Sequence, residues 1–499
     1  LYYRHYRQAI ENGNTTDYRA CGAGPDAGAL CEPDGSTPLT DEAHGLIPDI
    51  SDGGRIPIGE RDSESIDSYG RGGALQSTDS APLLGHDNRA SAGLTLDEAL
   101  VDFASARALG LVNPQLAVLP SNWLVDASEA QQNAAIAAGS FDVSATPVSL
   151  RSVTRYYGAY FTDSVDITPA LSATLSARYN LAQIELRDRL GANLTGNSRY
   201  RHINPAAGAS YRFAPSLTGY AGVSQNTRVP TASEIECSNP LQPCLLPSSL
   251  SGDPPTLRQV VARTVEIGVR GKISAPVRAG ASASWNLGVF RTDLHDDIDA
   301  IATSLSQGYF ENIGDTRRQG IEAGLKLQAG AWTGSAQYSE VAATFRSAFE
   351  LQSASNPFQD RSGDIAVRSG DFLPGIPRHR FKGAVDFECK PGWTLGATLQ
   401  LVGNQYYFGD ASNQNAPLPG YAVVGLHARL RAREGVELFA EIDNLLDARY
   451  ASYGIFGNPT GVGAPGIAAS ASANGPGVDN RFQSPAAPIA AYLGVRLGF

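Results

Sequence analysis

Four of the five cysteines stand in two near pairs, Cys21 with Cys31 and Cys237 with Cys244, each inside a polar stretch. Neither spacing is that of a zinc ribbon or a redox CxxC, so both pairs are expected to be loop-closing disulfides made in an oxidising compartment. Cys389, in FKGAVDFECK, is left over as a small strand residue. Acidic side chains crowd residues 9–64 and the run HDDIDA at 295–300. A calcium ion needs several oxygens converging on one centre, and neither stretch has EF-hand or RTX spacing. Solvated loop acids and the polar end of a strand are the readings set against cation ligation. The seven histidines include no HExxH and no pair spaced for haem or zinc. No GxSxG elbow and no phosphate-cradling P-loop occurs. The residues therefore predict no catalytic constellation, no metal, no cofactor and no enzyme.

A different group of side chains suits binding. GNQYYFGD at 403–410 sets Tyr406, Tyr407 and Phe408 side by side. Such a cluster serves either an interfacial aromatic girdle or a ligand approached from above. The formal net charge of −11 argues against nucleic acid, because phosphate neutralisation needs a basic surface.

These residues must be positioned by strands. In GYAVVGLHARLRA, Ala422, Val424, Leu426, Ala428 and Leu430 fall on one face, with Tyr421, Gly425, His427, Arg429 and Arg431 on the other. RTVEIGVRGKI, GIEAGLKLQ and the terminal YLGVRLGF alternate in the same way, a period of two that marks half-buried strands. Hydrophobic content is 42%, and no apolar run nears the 20 residues of a spanning helix. A soluble sandwich would explain any one segment. It does not explain segments as long as RAGASASWNLGVFRTDLHDDIDAIA, or links that alternate between short and long. Short links fall at TPA near 169 and at 214–216, 274–277, 390–392 and 433–435. Long polar stretches cover 9–64, 109–147, 230–259, 346–377, 408–419 and 453–486. The pattern predicts an all-β fold, a transmembrane antiparallel barrel with long extracellular loops and short periplasmic turns.

Sixteen strands are expected, at 1–8, 65–79, 91–107, 149–168, 171–188, 201–214, 217–229, 261–273, 279–302, 306–328, 331–345, 378–389, 393–407, 420–432, 436–452 and 487–499. With Phe499 at the periplasmic rim, every long stretch falls on the opposite side. Backbone groups in hydrocarbon must all be paired, so the last strand is expected to meet the first.

Several stretches resemble the barrel of TonB-dependent outer-membrane receptors. ELFAEIDNLLDARYASYG, residues 437–454, is similar to the family's Asn-Leu-Phe-Asp pattern followed by Tyr, through Asn444, Leu445, Asp447 and Tyr450, with Leu446 in place of Phe. GYAGVSQNTRVPTASEIE resembles the Phe-Arg-Ala-Pro element and its following Glu, through Arg228, Pro230 and Glu234; Thr227 and Val229 depart from it. ARTVEIGVRG matches through Glu266 and Gly268, and NIGDTRRQGIEAGLKL through Arg317, Gly320, Glu322 and Gly324. With terminal Phe499, the resemblance extends over most of residues 150–499.

The resemblance implies a 22-stranded barrel of which residues 1–499 supply about the last sixteen strands, as a partial receptor barrel. No methionine occurs, and the family's plug domain, TonB box and first strands are expected upstream. The implied function is active import, across the cell outer membrane, of a scarce nutrient captured by the loops. A ferric siderophore is the family's commonest substrate. Energy would come from the TonB-ExbB-ExbD complex through the N-terminal part. Arg228 and Arg317 would then attract the anionic chelate through charge-assisted bonds, or pair with Glu266 or Glu322 inside the lumen. Haem, cobalamin or saccharide uptake, a passive porin, and a secreted β-rich enzyme or adhesin are the competing readings.

Overall fold

A computed structural model describes the chain except for residues 17, 32–34, 42–44, 114, 116, 125–147, 192–193, 240–243, 246–256, 275–280, 303–306, 354, 458–478 and 499. Its main feature is an antiparallel meander of sixteen strands. In chain order the first eight are β1 (Tyr2–Thr15), β2 (Ile58–Asp79), β3 (Asn88–Val112), β4 (Val148–Asp166), β5 (Leu171–Asp188), β6 (Gly196–Ala214), β7 (Leu217–Arg228) and β8 (Val260–Ser274). Then come β9 (Ala281–Ala302), β10 (Gln307–Ala329), β11 (Trp332–Phe345), β12 (His379–Lys390), β13 (Trp393–Val402), β14 (Tyr421–Arg433), β15 (Val436–Asp443) and β16 (Ala490–Leu497). Each pairs with its sequence neighbours, from β1 with β2 through β15 with β16. Short strands sit around this wall, such as Phe349–Gln352 with Asp364–Val367. Among the described residues no helix is long and apolar enough to cross a membrane.

Register explains why the sheet has one greasy side. Leu75 lies opposite Leu94, which lies opposite Ala159, then Tyr179, then Ile203. Further round, Ala221, Ile267, Val289 and Ile321 form the same kind of row. Leu395, Ala428, Ala440 and Leu493 continue it towards the last strand. These side chains are open: Leu75 is 74% exposed, Leu175 65% and Leu493 87%. Covering a leucine is worth about 1.5–3 kcal/mol, so a band of uncovered ones is favourable only against an apolar medium. Among the described residues there is no dry interior between two packed sheets, the inward-packing alternative.

The opposite face carries Glu266, Arg270, Glu322, Lys326 and many glycines. Large side chains lie across glycines on both faces: a Cβ on inner Gly268 would stand 2.5 Å from the Tyr220 hydroxyl, and one on outer Gly271 would stand 2.8 Å from the Trp285 ring. At Gly320 a Cβ would collide with the Glu340 carbonyl oxygen, which fixes how closely β10 and β11 approach.

Two expectations need correction. The strands expected over 393–407, 436–452 and 487–499 are shorter. Asn444 and Asp447 both adopt φ of +48°, a left-handed turn that ends β15 at Asp443. Among the described residues β1 and β16 do not pair with each other, so the last strand does not meet the first. Closing a barrel requires strand number, tilt and curvature to agree, and the curvature of this sheet leaves its two edges apart.

The exposed band gives a direct test. Leu325→Arg, on the greasy face, should cost about 2–4 kcal/mol in lipid, while Lys326→Arg on the other face should stay within about 0.5 kcal/mol. Urea unfolding in bilayers measures both; equal effects would contradict the assignment of faces.

Candidate functional site

One end of the inner face is apolar, and the loops there fold inward to cover it. Val148, Leu150, Ala182, Ile184 and Tyr200, on the inner face of β4, β5 and β6, pack against Ile235, Cys237 and Cys244. Ile58 and Leu109 pack likewise under Leu30, Leu39 and Ile47. On the far wall Ile301, Ala343 and Phe345 pack under Ile365, Val367, Leu373 and Ala411. The buried apolar core therefore sits at the loop end, where it roofs the mouth.

Disulfides and ion pairs hold this roof. Cys21 and Cys31 are bonded at 2.06 Å, and Cys237 and Cys244 at 2.09 Å. Arg107, 2% exposed, donates Nε–H to Glu60 at 2.9 Å and lies 3.3 Å from Asp62. Loop acids elsewhere accept from turns: Asp49 takes Ser51 N at 2.9 Å and Gly53 N at 3.1 Å, and Asp41 takes Gly45 N at 2.8 Å. They are local caps, and among the described residues no group of three His, Cys, Asp or Glu is arranged to hold a metal ion. Asp17, Glu32, Asp34 and Glu42 lie outside the described residues.

Arg228 lies on the inner side at the top of β7. Its partner is neither Glu266 nor Glu322: its Nη1 donates to both Glu234 oxygens, at 3.0 and 2.8 Å. Glu234 also accepts from Thr231 N at 2.7 Å, while Thr231 Oγ1 accepts from Glu234 N, a capping box that starts the short helix α1 (Ala232–Glu236) just after buried Pro230. Arg228, Pro230 and Glu234 thus turn this loop inward. Gly268 gives room to Tyr220, whereas Glu266 and Glu322 are exposed on the inner wall.

Arg317 also needs correction. Strand parity puts it with Ile321 on the outer face, where its Nε donates to Asp293 at 2.6 Å. Its neighbour Arg318 faces inward, because adjacent strand residues point opposite ways. Arg318 donates to Thr316 Oγ1 at 2.6 Å and Asp297 Oδ2 at 3.0 Å. The run HDDIDA is likewise engaged: His295 with Asp315 at 3.0 Å, Asp296 with Arg258 at 2.8 Å, and Asp297 with Thr316 at 2.6 Å.

The structure separates the three aromatics. Tyr407 is 1% exposed, tilted against Phe456 at 5.4 Å, and its hydroxyl accepts from Gln483 Nε2 at 2.6 Å. Tyr406 stacks loosely on Phe372. Phe408 is 40% exposed, stacks on Tyr453 at 5.1 Å, and reaches a cavity of about 140 Å³ that Asp297, Asp299, Arg318 and Leu373 also line. That volume is below the roughly 300–1,000 Å³ of pockets enclosing whole small molecules, so it suits one arm of a ligand. Arg318 was missed at the sequence level; the doublet Arg317–Arg318 in a strand was its signal.

Asn444, Leu445, Asp447 and Tyr450 form a structural turn. Asn444 is buried and accepts from Ala448 N at 2.9 Å while donating to Ala448 O and Ala487 O. Leu445 N donates to Val424 O at 2.8 Å, Asp447 accepts from Ile489 N at 3.1 Å, and Tyr450 stacks on Tyr421 at 4.1 Å. Phe499 lies outside the described residues. Between the 346–377 and 403–420 loops, Asp410 is a latch. It accepts from Asn415 Nδ2 at 3.0 Å and N at 3.1 Å, from Gln414 N at 3.2 Å and from Asn356 Nδ2 at 3.5 Å. Burial nevertheless raises its pKa above the ordinary Asp value, and those bonds only partly oppose the rise.

A family model described as "TonB dependent receptor-like, beta-barrel" matches residues 47–445. The chain is similar to the copper transporter OprC, at 14% identity and TM-score 0.55, covering 100% of this chain and 62% of that one. It is similar to the ferric citrate transporter FecA in unliganded form, at 14% identity and TM-score 0.54, covering 89% and 58%. It is also similar to the siderophore receptor PiuA from Acinetobacter baumannii, at 13% identity and TM-score 0.51, covering 99% and 71%. At such identities the likeness is one of fold. The chain spans about three fifths of the first two proteins.

Two outcomes follow from the roof. Replacing Cys237 and Cys244 together by Ser should loosen their segment by about 2–3 kcal/mol, read as new protease cuts within 230–259. A carboxyl whose folded pKa is raised binds its proton more readily folded than unfolded. The Asp410 latch should therefore tighten as pH falls through its folded value towards the ordinary Asp range, and be weakest above it. Protection against hydrogen exchange across 403–420, after correction for the intrinsic slowing of exchange at low pH, should rise on acidification, and Asp410→Asn should flatten that dependence.

Proposed function

The chain belongs to the TonB-dependent receptor-like β-barrel family, and on that footing we propose that it is the wall and mouth of an outer-membrane importer for a scarce chelated nutrient, a ferric siderophore first. Members of this family are receptors and transporters rather than enzymes. The observation that carries the reading is the asymmetry of the inner face. Among the described residues loops fold over it at one end, tied by disulfides and by Arg228–Glu234, while the outer face is a continuous apolar band. That asymmetry favours capture at a built mouth over free diffusion through an open pore.

In this reading further strands fill the gap between β1 and β16, and a plug domain and TonB box belonging to the same protein reach the TonB-ExbB-ExbD complex. Phe408 and Arg318 would meet the ligand. An aromatic face beside a guanidinium suits a chelate that carries both ring surface and negative oxygen. Arg228, Glu234, Asn444 and Asp447 would act by shaping the mouth. Tyr407, closed off by Phe456 and Gln483, would support Phe408 from beneath.

Binding of a panel of ferric chelates to the intact receptor in detergent, followed by fluorescence quenching, tests this. One chelate should bind at submicromolar concentration, and Phe408→Ala with Arg318→Gln should weaken it at least tenfold. Uptake of that chelate by cells should stop with a protonophore. Uptake that persists without the proton gradient would favour a passive pore.

A further inference from the structure

At the mouth, the inward-facing arginines are matched by acids. Arg107, Arg228 and Arg318 each meet a carboxylate, in Glu60, Glu234 and Asp297. Lower on the same face, towards the short-turn end, stand Arg270 and Lys272 on β8 and Lys326 on β10. Among the described residues none of these three cations has an ion-pair partner. They are left so on a chain whose formal net charge is −11.

Strand register brings them together. Lys272 lies opposite Ser284, which lies opposite Lys326, and Arg270 lies opposite Asn286, which lies opposite Gly324. Between the two cationic strands, β9 thus contributes only neutral side chains at these positions. Neighbouring strands are about 4.8 Å apart, so Lys272 and Lys326 are rooted about 10 Å from each other, and Arg270 stands about 7 Å along β8 from Lys272. A Cβ on Gly324 would stand 2.4 Å from Asn286 Oδ1, so this glycine leaves room for the amide to lie across β10. The result is an open cleft of about 460 Å³ lined by Arg270, Lys272, Lys326, Thr218, Asn286 and Gln337, with no acid in its lining among the described residues. The acids of the same strands are distant. Glu266 precedes Arg270 by four positions, and Glu322 precedes Lys326 by four. That is about 13 Å along a strand, beyond the screening length of about 8–10 Å. Round the wall, Asp386 of β12 is already engaged by His427 at 2.6 Å and by Arg429 at 3.3 Å.

We propose that this cleft is a second anion site on the import route, taking two or more carboxylates of one polyanion below the mouth. Its cations repel one another, and a single carboxylate cannot reach all of them at this spacing. A polycarboxylate laid across Ser284 and Asn286 can. The Arg270 fork takes a carboxylate through two parallel bonds, while the lysines act as point charges on flexible stems. Asn286, Gln337 and Thr218 add neutral donors, which hold carboxylate oxygens without discharging the site. The volume falls in the range that encloses a small molecule, whereas the mouth cavity of about 140 Å³ holds one arm. An anion leaving the mouth therefore has a place to pass to. The proposal rests on the import reading given above and narrows its substrate class to chelates that carry several carboxylates.

The intact receptor in detergent tests it, with tricarballylate as a metal-free tricarboxylate and acetate as the single-charge counterpart. Acetylation of Lys272 and Lys326 by an amine-reactive ester is read by mass spectrometry on the unaltered protein. It should slow at least threefold with tricarballylate and be unchanged by acetate at equal carboxylate concentration. Calorimetry should show tricarballylate binding at least tenfold more tightly than acetate, and Arg270→Gln with Lys326→Gln should remove that advantage. Equal effects of the two acids, labelling that neither alters, or an unchanged advantage in a folded double variant would each overturn it. An acidic protein surface already seated on the cleft would give the second of these results. Uptake by cells is measured separately. A receptor that imports its chelate but fails these tests lacks the cleft site, whereas one that passes them without uptake keeps the site and loses the import role.

Discussion

The structure depends on one constraint: a backbone in an apolar medium must satisfy its hydrogen bonds within itself. The meander does so strand by strand, and the period of two then divides every side chain between two environments. Apolar residues such as Leu75, Ile267 and Leu493 can remain uncovered on one side because the sheet, and not a second layer, is the whole wall. Glycines under Tyr220 and Trp285 are part of the same economy of space, letting large side chains lie flat along the inner surface at Tyr220 and along the outer one at Trp285.

The loops meet the opposite problem. Above the band they stand in water, and they acquire a hydrophobic core only by folding onto the inner wall. This is why the buried residues gather at one end, and why polar anchors are concentrated there. Arg228 with Glu234, Arg107 with Tyr18, and Asp410 with its ring of amides each tie a loop to a strand or to another loop. Their value is mainly geometric. Partly exposed ion pairs contribute little net stability, but they fix which way a loop turns.

Charge is sorted by the same division. Arg317 and Arg318 are adjacent in sequence, yet one joins an outward cluster with Asp293 and the other lines the inner cavity with Asp297. The family motifs follow this logic without forming a single site. Asn444 and Asp447 build a turn, Gly268 and Gly320 make room, and Arg228 with Glu234 shapes a loop.

Alternation and turn length determined the strand count, the two faces and the end on which loops lie, because a period of two is a local property legible in any segment. The near spacing of Cys21 with Cys31 and of Cys237 with Cys244 was also local. The sequence could not say that Ile184 and Leu186, inward-facing yet apolar, would be roofed by Ile235, since that contact joins residues far apart in the chain. Nor could it choose partners for Arg228 and Arg317, bury Tyr407 while leaving Phe408 open, or part the first strand from the last. Those outcomes depend on how loops return onto the wall and how tightly the wall curves, which tertiary structure alone decides.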